Sequence, residues 1–222
     1  MIKIENVVLP SCEQMERIIM GARNPMNSWE RSDSTYSVDD NIFAIGKNDF
    51  DLLTRLSKAG AAHAKYKRMI NVYCDITAPM YWWKEYDTYL HTVRNSCSTM
   101  HKIHSKEFTI DDFSIENIFN GFNGNDNYDY MNHTVDILEK NRKVYLSLPE
   151  GEEKKIAWWQ MIQMLPSSYN QRSTVMMNYE TLTAMYRWRR NHKLDEWQEF
   201  CDWIETLPYS ELITQKYEME DD

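Results

Sequence analysis

The chain has 222 residues, a formal net charge of −9, and 13% aromatic residues that include eight tryptophans. The negative charge argues against a protein that binds nucleic-acid polymers or membrane surfaces, because both partners require a basic face. No run of about 18 apolar residues could span a bilayer, and the N-terminal sequence MIKIENVVLP lacks the charged-then-apolar order of a signal peptide. We therefore expect a cytoplasmic protein with no nucleic-acid polymer and no membrane among its partners.

The expected domain organisation follows from the lack of a linker. No stretch rich in Pro, Gly and Ser divides the sequence, and the aromatic content is enough to fill a sizeable core. We expect residues 1–216 to form a single domain. Residues 217–222, which end in EMEDD, should form a solvated acidic tail.

Hydrophobic periodicity predicts a chain rich in helices with few strands. In chain order, the expected elements are a strand over 2–9, helices over 12–23 and 49–59, a strand over 69–76, and helices over 80–93, 110–119, 128–146, 150–165, 172–191 and 194–206. Ser11 and Asn48 are good N-caps for the first two helices, and Gly60 suits the C′ position of the second. The segment 24–47 is rich in Ser, Asp and Asn, so it predicts a loop.

Two stretches carry groups that could bind a ligand. Residues 95–99 (NSCST) combine hydroxyl groups with backbone N–H groups, and both can hold an anion. Arg187, Arg189 and Arg190 form the densest positive cluster of this acidic chain. Because neighbouring helical residues point in different directions, one of the last two arginines must face inward.

The sequence lacks the motifs of several common phosphate-binding and metal-binding sites. There is no glycine-rich phosphate loop, and the four cysteines lie far apart without a Cys-x-x-Cys pair, which suits a reducing compartment and offers no zinc framework. His101 and His104 have the spacing of metal ligands but lack a matching carboxylate, so we predict no metal site. Residues in apolar patterns are expected in the core, namely Cys74, Cys201, Trp82, Trp83, Trp158 and Trp159.

The C-terminal third resembles the flavin-dependent thymidylate synthases. In that family a Leu-Pro pair ends one helix, a long helix with an Asn on its flavin side follows, and an Arg precedes a helix with the pattern Ala-Gln-Trp-Glu-Ile. Here a Leu-Pro pair at 165–166 is followed by Asn178, twelve positions after the proline, and Arg190 stands seven positions before Trp197 in RNHKLDEWQEF. Arg190 matches the family's nucleotide-binding arginine, and Arg189 is the alternative.

Earlier segments are similar to the same family in part. His63, in KAGAAHAKY, matches the histidine of the family's flavin-contact region. The family signature contains Arg-His-Arg, then Ser, Asn-Glu, Ser and Arg-Tyr. Asn95 and Ser98 match its Asn and a Ser, whereas Ser, Met and His replace its Glu, Arg and Tyr. Residues 84–86 (KEY) occupy the helix that is comparable to the one with Arg-His-Arg.

The resemblance implies an α+β fold, a helix-rich domain with a small antiparallel sheet, assembled as a homotetramer. It implies an enzyme that binds FAD and methylates dUMP reductively to dTMP, with methylenetetrahydrofolate as carbon donor and NADPH as reductant. Arg190 would be the catalytic residue that polarises the uracil. The residues implied to bind the nucleotide are Asn95, Ser96, Ser98, Thr99, Lys102, Arg189 and Arg190. Those implied to bind the flavin are His63, Lys84 and Asn178.

The altered signature leaves two further hypotheses. A relative could leave a hydroxymethyl group on the pyrimidine in place of a methyl group. Alternatively, the protein could be a pyrimidine-nucleotide-binding module that keeps the scaffold and has lost the flavin chemistry. Flavin absorbance favours either enzyme, whereas colourless protein that dUMP still stabilises favours the binding module.

Overall fold

A computed structural model describes residues 1–37 and 42–215 of the chain. Its strands are β1 (Lys3–Val8), β2 (Thr35–Ser37), β3 (Ile42–Ala44), β4 (Asn71–Pro79), β5 (Val93–Ser96), β6 (Asn120–Phe122), β7 (Asn125–Asp126) and β8 (Asn170–Asn178). Its α-helices are α1 (Cys12–Arg23), α2 (Lys47–Lys58), α3 (Met80–Tyr86), α4 (Asn127–Ser147), α5 (Glu152–Met164), α6 (Tyr179–Arg189), α7 (Asp195–Glu205) and α8 (Glu211–Thr214). The predicted acidic tail over 217–222 lies outside the described residues.

Four strands form the main sheet, in the order β1-β4-β8-β5. Two small hairpins, β2-β3 and β6-β7, are antiparallel pairs. The predicted class, a helix-rich α+β fold with small antiparallel sheets, is confirmed. Within the described ranges, no helix is both long enough and apolar enough to cross a membrane.

The described residues fall into two compact units, each built from separate stretches of chain. Unit 1 comprises Met1–Lys3, Ile76–Thr88 and Asn95–Ser173, and unit 2 comprises Ile4–Asp75, Tyr89–Arg94 and the described residues from Thr174 onward. In unit 1, α4 packs on α5 over a core of Ile103, Phe108, Phe113, Met131, Val135, Leu138 and Met161. In unit 2, buried apolar side chains of the helices include Ile19, Leu53, Leu182, Trp197, Phe200 and Leu212.

Local signals predicted several element ends correctly. Helix α1 begins after Ser11, whose hydroxyl accepts a hydrogen bond from the Gln14 N–H, while the Gln14 side chain accepts one from the Ser11 N–H. Gly60 follows α2 with a φ of +97°, as its predicted C′ role requires. The helices α4, α5 and α7 lie close to their predicted positions.

The helix predicted over 172–191 was wrong in its first half. Residues up to Asn178 belong to β8, and the helix begins only at Tyr179. Buried side chains alternate with more exposed ones along this strand, which is the period of a pleated sheet. The alternating buried side chains are Gln171, Ser173, Val175 and Met177.

The helix predicted over 80–93 was also too long. It ends at Tyr86, after which the Thr88 hydroxyl donates to the Glu85 carbonyl at 2.7 Å. His91 has a φ of +64°, which a helix cannot accommodate. Val93 therefore belongs to β5 instead of a helical face.

Three smaller predictions need correction. The helix predicted over 110–119 is only the 3₁₀ turn Ile110–Asp112. The predicted loop over 24–47 contains the hairpin β2-β3 and two 3₁₀ turns, Asn24–Met26 and Trp29–Arg31. Trp82 and Trp83 are buried as predicted, but Trp159 is 40% exposed.

Asn48 is not the N-cap of α2, because Gly46 takes that position. The Asp33 carboxylate caps the helix from outside it, accepting hydrogen bonds from the backbone N–H groups of Asn48 (2.9 Å) and Asp49 (3.1 Å). A Cβ atom at Gly46 would lie 2.3 Å from Asp33. The close approach of that aspartate therefore requires glycine at this position.

A buried ion pair fixes the segment between α1 and α2. Asp49 is fully buried and accepts hydrogen bonds from Arg23 Nε (2.5 Å), Ser32 Oγ (2.8 Å) and Ser34 Oγ (2.6 Å), and from the backbone N–H groups of Asp33 and Ser34. Burial alone would raise the pKa of Asp49, but the hydrogen bonds from Ser34 and Ser32 and the charge of Arg23 lower it below its ordinary value.

Lys67 is a second buried ionisable residue, and its hydrogen bond to Thr183 is longer than those of Asp49. Its side chain is 2% exposed, and its Nζ atom lies 3.4 Å from Thr183 Oγ1. Burial lowers the pKa of Lys67 to about 8, although the Glu180 carboxylate partly opposes this shift. The protonated lysine is therefore a cost to the fold at neutral pH.

We expect Asp49→Asn to lower the free energy of unfolding by about 3–5 kcal/mol, because it leaves the Arg23 guanidinium buried without its counter-charge. Since the folded pKa of Asp49 is depressed, the stabilisation is present above the unfolded pKa and is lost as the pH falls through the folded value. Urea denaturation measures both effects. Asp51→Asn, an exposed change on the same helix, is the control and should alter stability by no more than about 0.5 kcal/mol.

We expect Lys67→Met to raise the free energy of unfolding at pH 7 by about 2–3 kcal/mol, because it removes a buried charge. Between pH values of about 8 and 10.5 the unfolded chain holds a proton that the folded chain releases, so the parent should become more stable as pH rises. The Met variant should lack this rise. Lys65→Met, on the exposed side of the same turn, is the control; equal effects of the two substitutions would contradict the interpretation.

Candidate functional site

The predicted site residues are divided between the two units. Unit 1 holds Lys84, Asn95, Ser96, Ser98, Thr99 and Lys102. Unit 2 holds His63, Asn178, Arg189 and Arg190. Within unit 1 the predicted nucleotide-binding residues are brought together on one short segment, and within unit 2 three of the four residues lie at the ends of α6.

The segment 95–99 leaves β5 and is anchored to β8 by its backbone. The Cys97 N–H donates to the Arg172 carbonyl at 2.9 Å, and the Cys97 carbonyl accepts from Gln171 Nε2 at 2.6 Å. Asn95, Ser96 and Ser98 are exposed, and Thr99 is half-buried. Their polar side chains are therefore carried on a fixed backbone.

Further along, two hydrogen bonds hold the turn that follows this segment. The Ser98 hydroxyl accepts from the His101 N–H at 2.9 Å, and Trp158 Nε1 donates to the Met100 carbonyl at 2.8 Å. Lys102 is exposed. Burial, followed by the positive charge of Lys102 and other nearby cations, lowers the pKa of His104. The segment 95–104 is thus polar and positively charged within an acidic chain.

Residues 84–86 of helix α3, the helix comparable to the one with Arg-His-Arg, are only partly accessible to a ligand. Lys84 is exposed, whereas Tyr86 is fully buried. The Tyr86 ring packs against Trp82 (centroids 5.3 Å apart) and Trp83 (5.1 Å). Tyr86 is therefore a core residue, and Lys84 is the cation that this stretch offers to a ligand.

Asn178 is the N-cap of α6. Its side-chain oxygen accepts hydrogen bonds from the Thr181 N–H (2.9 Å) and from Thr181 Oγ1 (3.2 Å). The residue is 7% exposed, so the expectation that it is buried and hydrogen-bonded is confirmed. Because the oxygen caps the helix, the group that Asn178 can offer a ligand is its amide nitrogen.

Arg189 lies against two aromatic rings. Its Nε atom donates to the Tyr89 hydroxyl at 2.8 Å, and its guanidinium carbon lies 5.5 Å from the Tyr89 ring centroid and 4.9 Å from that of Trp197. This geometry is that of cation–π contacts, which hold the guanidinium in a fixed plane. Tyr89 was missed as a site residue because it precedes Arg189 by 100 positions, and no local pattern links the two.

Arg190 points to a different environment. Its Nη1 atom lies 2.5 Å from Asp202 Oδ1, and its Nε atom lies 3.6 Å from Glu205 Oε1. The hydrogen bond with Asp202 raises the pKa of Arg190. Arg189 therefore contacts Tyr89 and Trp197, whereas Arg190 contacts Asp202 and Glu205.

His63 is exposed in the turn after α2 and lines an open cavity of about 540 Å³. Ala22, Leu56 and Tyr66 are among the other residues that line it. The cavity is large enough for part of a cofactor. A flavin contact by His63 stays a prediction.

The remaining groups with site chemistry are the possible metal ligands and the thiols. In the described ranges, no three His, Cys, Asp or Glu side chains group as a metal ion would require. Cys74 and Cys201 are buried as predicted, and burial raises the pKa of each thiol to about 12. Cys97, within the anchored segment, is exposed.

No protein-family model matches the chain, and no curated protein matches it. Solved structures do. A structure of the flavin-dependent thymidylate synthase ThyX from Helicobacter pylori, complexed with FAD and dUMP, has a TM-score of 0.65 and 16% sequence identity, and covers 96% of this chain and 98% of its own. A second structure of ThyX from the same organism, also with FAD and dUMP, has the same TM-score and identity and covers 97% and 98%. This likeness establishes the fold.

We expect only Cys97 among the four cysteines to react rapidly with a thiol reagent in the folded protein. Its side chain is exposed, whereas Cys12, Cys74 and Cys201 are buried and cannot meet the reagent. A chromogenic disulfide reagent should release about one equivalent of product from the native chain and about four after denaturation. Cys97→Ser is the matched control. A fast native thiol in that variant would contradict the burial of the other three.

Proposed function

We propose that this chain is a flavin-dependent thymidylate synthase-like enzyme. It would bind FAD and dUMP and methylate dUMP reductively to dTMP, with methylenetetrahydrofolate as carbon donor and NADPH as reductant. The observation that carries the proposal is the fold, because 96% of this chain corresponds to 98% of an enzyme complexed with FAD and dUMP. As an extension of the same proposal, the active assembly is a homotetramer.

The flavin, when bound, supplies the hydride chemistry, and the protein binds and orients the substrate. An arginine placed at a uracil carbonyl stabilises negative charge that develops during attack at carbon 5. The reaction needs no cysteine nucleophile, which fits a chain whose Cys74 and Cys201 thiols have a pKa of about 12. The arginine is therefore the protein group on which the chemistry depends most.

We assign this role to Arg189 in preference to Arg190. The Arg189 guanidinium is held in a fixed plane by the Tyr89 hydroxyl and the Trp197 ring. To reach a nucleotide, Arg190 would have to break its contacts with Asp202 and Glu205. Arg190 then serves mainly to join α6 to α7.

The exposed segment 95–102 supports the nucleotide part of the proposal. Asn95, Ser96 and Ser98 offer an amide and two hydroxyls from a backbone that β8 holds in place, and Lys102 adds a positive charge. Thr99, half-buried beside them, offers a third hydroxyl. Hydroxyl, amide and ammonium groups are the donors that a phosphate monoester requires.

The flavin would be held by groups that are chemically suited to it. The residues proposed for this role are His63, Lys84 and Asn178. Lys84 is a point charge and cannot reproduce the bidentate contacts of a guanidinium. The amide nitrogen of Asn178 can donate to a flavin carbonyl, since its oxygen is already engaged at the helix cap.

One observation favours a second candidate function. Helix α3 is comparable, with an insertion, to the helix that carries Arg-His-Arg in the family, but it contains no arginine, and its Tyr86 is buried in an aromatic cluster. A chain without those guanidinium groups binds flavin phosphates less strongly. The alternative is therefore a dUMP-binding protein that retains the nucleotide residues and has lost the flavin.

We expect purified protein to absorb at about 450 nm from bound flavin and to melt at a higher temperature with dUMP, because a ligand that binds only the folded state stabilises it. Arg189→Ala should abolish the dUMP-dependent increase. Arg190→Ala, one residue away, is the control and should retain it. Rescue of thymidine-requiring cells by the parent, and its loss in Arg189→Ala, then tests catalysis.

Flavin absorbance and the response to dUMP together distinguish the enzyme from the binding module. Colourless protein that dUMP still stabilises supports the binding module and contradicts the enzyme. Protein with neither flavin nor a response to dUMP contradicts both functions. A response lost in Arg190→Ala and retained in Arg189→Ala would return the nucleotide role to Arg190.

A further inference from the structure

An open cavity of about 700 Å³ in unit 2 contains none of the predicted site residues. One wall is a face of α2, which presents Asn48, Asp51 and Arg55 at helical spacing. The segment 26–31 also lines the cavity and contributes Asn27 and Arg31 among others. The volume falls in the range of small-molecule sites and is far larger than a single anion requires.

Hydrogen bonds from Arg23, which also lines the cavity, hold the segment 26–31 in place. Arg23, which is 4% exposed, donates from Nη1 to the Ser28 carbonyl (3.2 Å) and from Nη2 to the Arg31 carbonyl (3.0 Å), while its Nε atom is bonded to Asp49. Asn27 has a φ of +46°, so the chain turns sharply there. A ligand would therefore meet a preformed wall and would not have to order it.

Two arginines without a carboxylate partner among the described residues line this cavity, although the chain as a whole is acidic. Within residues 1–37 and 42–215, neither the Arg31 nor the Arg55 guanidinium is paired with a carboxylate. Both arginines are exposed, and both line the same cavity. Two guanidinium groups at one cavity are suited to bidentate contacts with phosphate oxygens.

Two carboxylates limit what this cavity can accept. Glu30 and Asp51 also line it, and they would repel any negative charge that a ligand placed directly beside them. A carboxylate does accept hydrogen bonds from sugar hydroxyls. The amide groups of Asn27 and Asn48 can pair with the polar edge of a base. The lining therefore favours a phosphate monoester attached to a nucleoside over a bare anion.

We propose that this cavity is a nucleotide-binding site in which Arg31 and Arg55 hold a phosphate monoester and Glu30 or Asp51 accepts a hydrogen bond from the sugar hydroxyl. The phosphate can belong to a free nucleoside monophosphate such as dUMP or to the 2′-phosphate of NADPH. The latter identification rests on the proposed function, which needs NADPH as reductant. The site itself does not rest on that function.

Isothermal titration of the purified 222-residue chain with NADPH, NADH, dUMP and inorganic phosphate tests the proposal. At least one phosphomonoester nucleotide should bind, and Arg31→Ala and Arg55→Ala should each weaken it at least tenfold. Arg17→Ala, an exposed arginine elsewhere in unit 2, should bind as the parent does. Arg55→Lys keeps the charge and loses the planar fork, so it should weaken binding less than Arg55→Ala.

The ligands separate the sources of the phosphate. Arginine-dependent binding of NADPH without comparable binding of NADH assigns the 2′-phosphate, and arginine-dependent binding of dUMP assigns the free nucleotide. Nucleotide affinities that stay unchanged in both alanine variants overturn the site. Inorganic phosphate that binds as tightly as the nucleotides, with the same dependence on the arginines, also overturns it, because the cavity would then recognise only an anion.

The two proposals can fail separately. Colourless protein that does not respond to dUMP but binds NADPH through Arg31 and Arg55 contradicts the thymidylate synthase function and supports the cavity. Yellow protein that dUMP stabilises, with nucleotide affinities independent of both arginines, does the reverse. Because both side chains are exposed, the alanine variants are expected to fold, and their melting temperatures verify this.

Discussion

The hydrogen bonds around Arg23 and Asp49 hold residues 28–34 next to the start of α2. A carboxylate with no exposed surface is tolerated only when its oxygens are fully satisfied, and here Arg23, Ser32, Ser34 and the backbone at Asp33 provide the donors. Removal of these donors would leave a buried charge without partners. This network thereby converts a polar sequence with little regular structure into a single conformation.

The same hydrogen bonds position the two parts of the chain that line the 700 Å³ cavity, the segment 26–31 and helix α2. Arg23 bonds the carbonyl groups of Ser28 and Arg31 on one side, and Asp49 lies within the first turn of α2 on the other. The Asp33 carboxylate caps that helix, and Gly46 allows its close approach. The ion pair is thus structural in itself, but it fixes the positions from which Arg31 and Arg55 extend.

The two arginines at the end of α6 are chemically identical but make different contacts. Arg189 contacts the rings of Tyr89 and Trp197, whereas Arg190 contacts the carboxylates of Asp202 and Glu205. The sequence predicts that two neighbouring arginines face different directions. It cannot predict which of them meets aromatic rings, because Tyr89 is 100 residues away from Arg189. Contacts of that range depend on the tertiary fold.

Prediction succeeded where a short pattern determines the local conformation. Ser11 and Gln14 form a capping box within four residues, and Gly60 provides the backbone conformation that ends α2. It failed over residues 172–178, where Val175 and Met177 fit a helical face as well as alternate positions of a strand, and pairing within the sheet decides between them. The cavity at Arg31 was missed because its segment has no periodicity, and only the buried Asp49 network gives it a fixed shape.

The alternation of the chain between the two units has an evolutionary consequence. Stretches that belong to unit 1 begin at Met1, Ile76 and Asn95, and each is followed by a stretch of unit 2. Neither unit can be excised, exchanged or appended by one recombination event at a single boundary. Change in such a protein must therefore proceed by substitutions and short insertions within both units, with the interleaved order of the stretches kept.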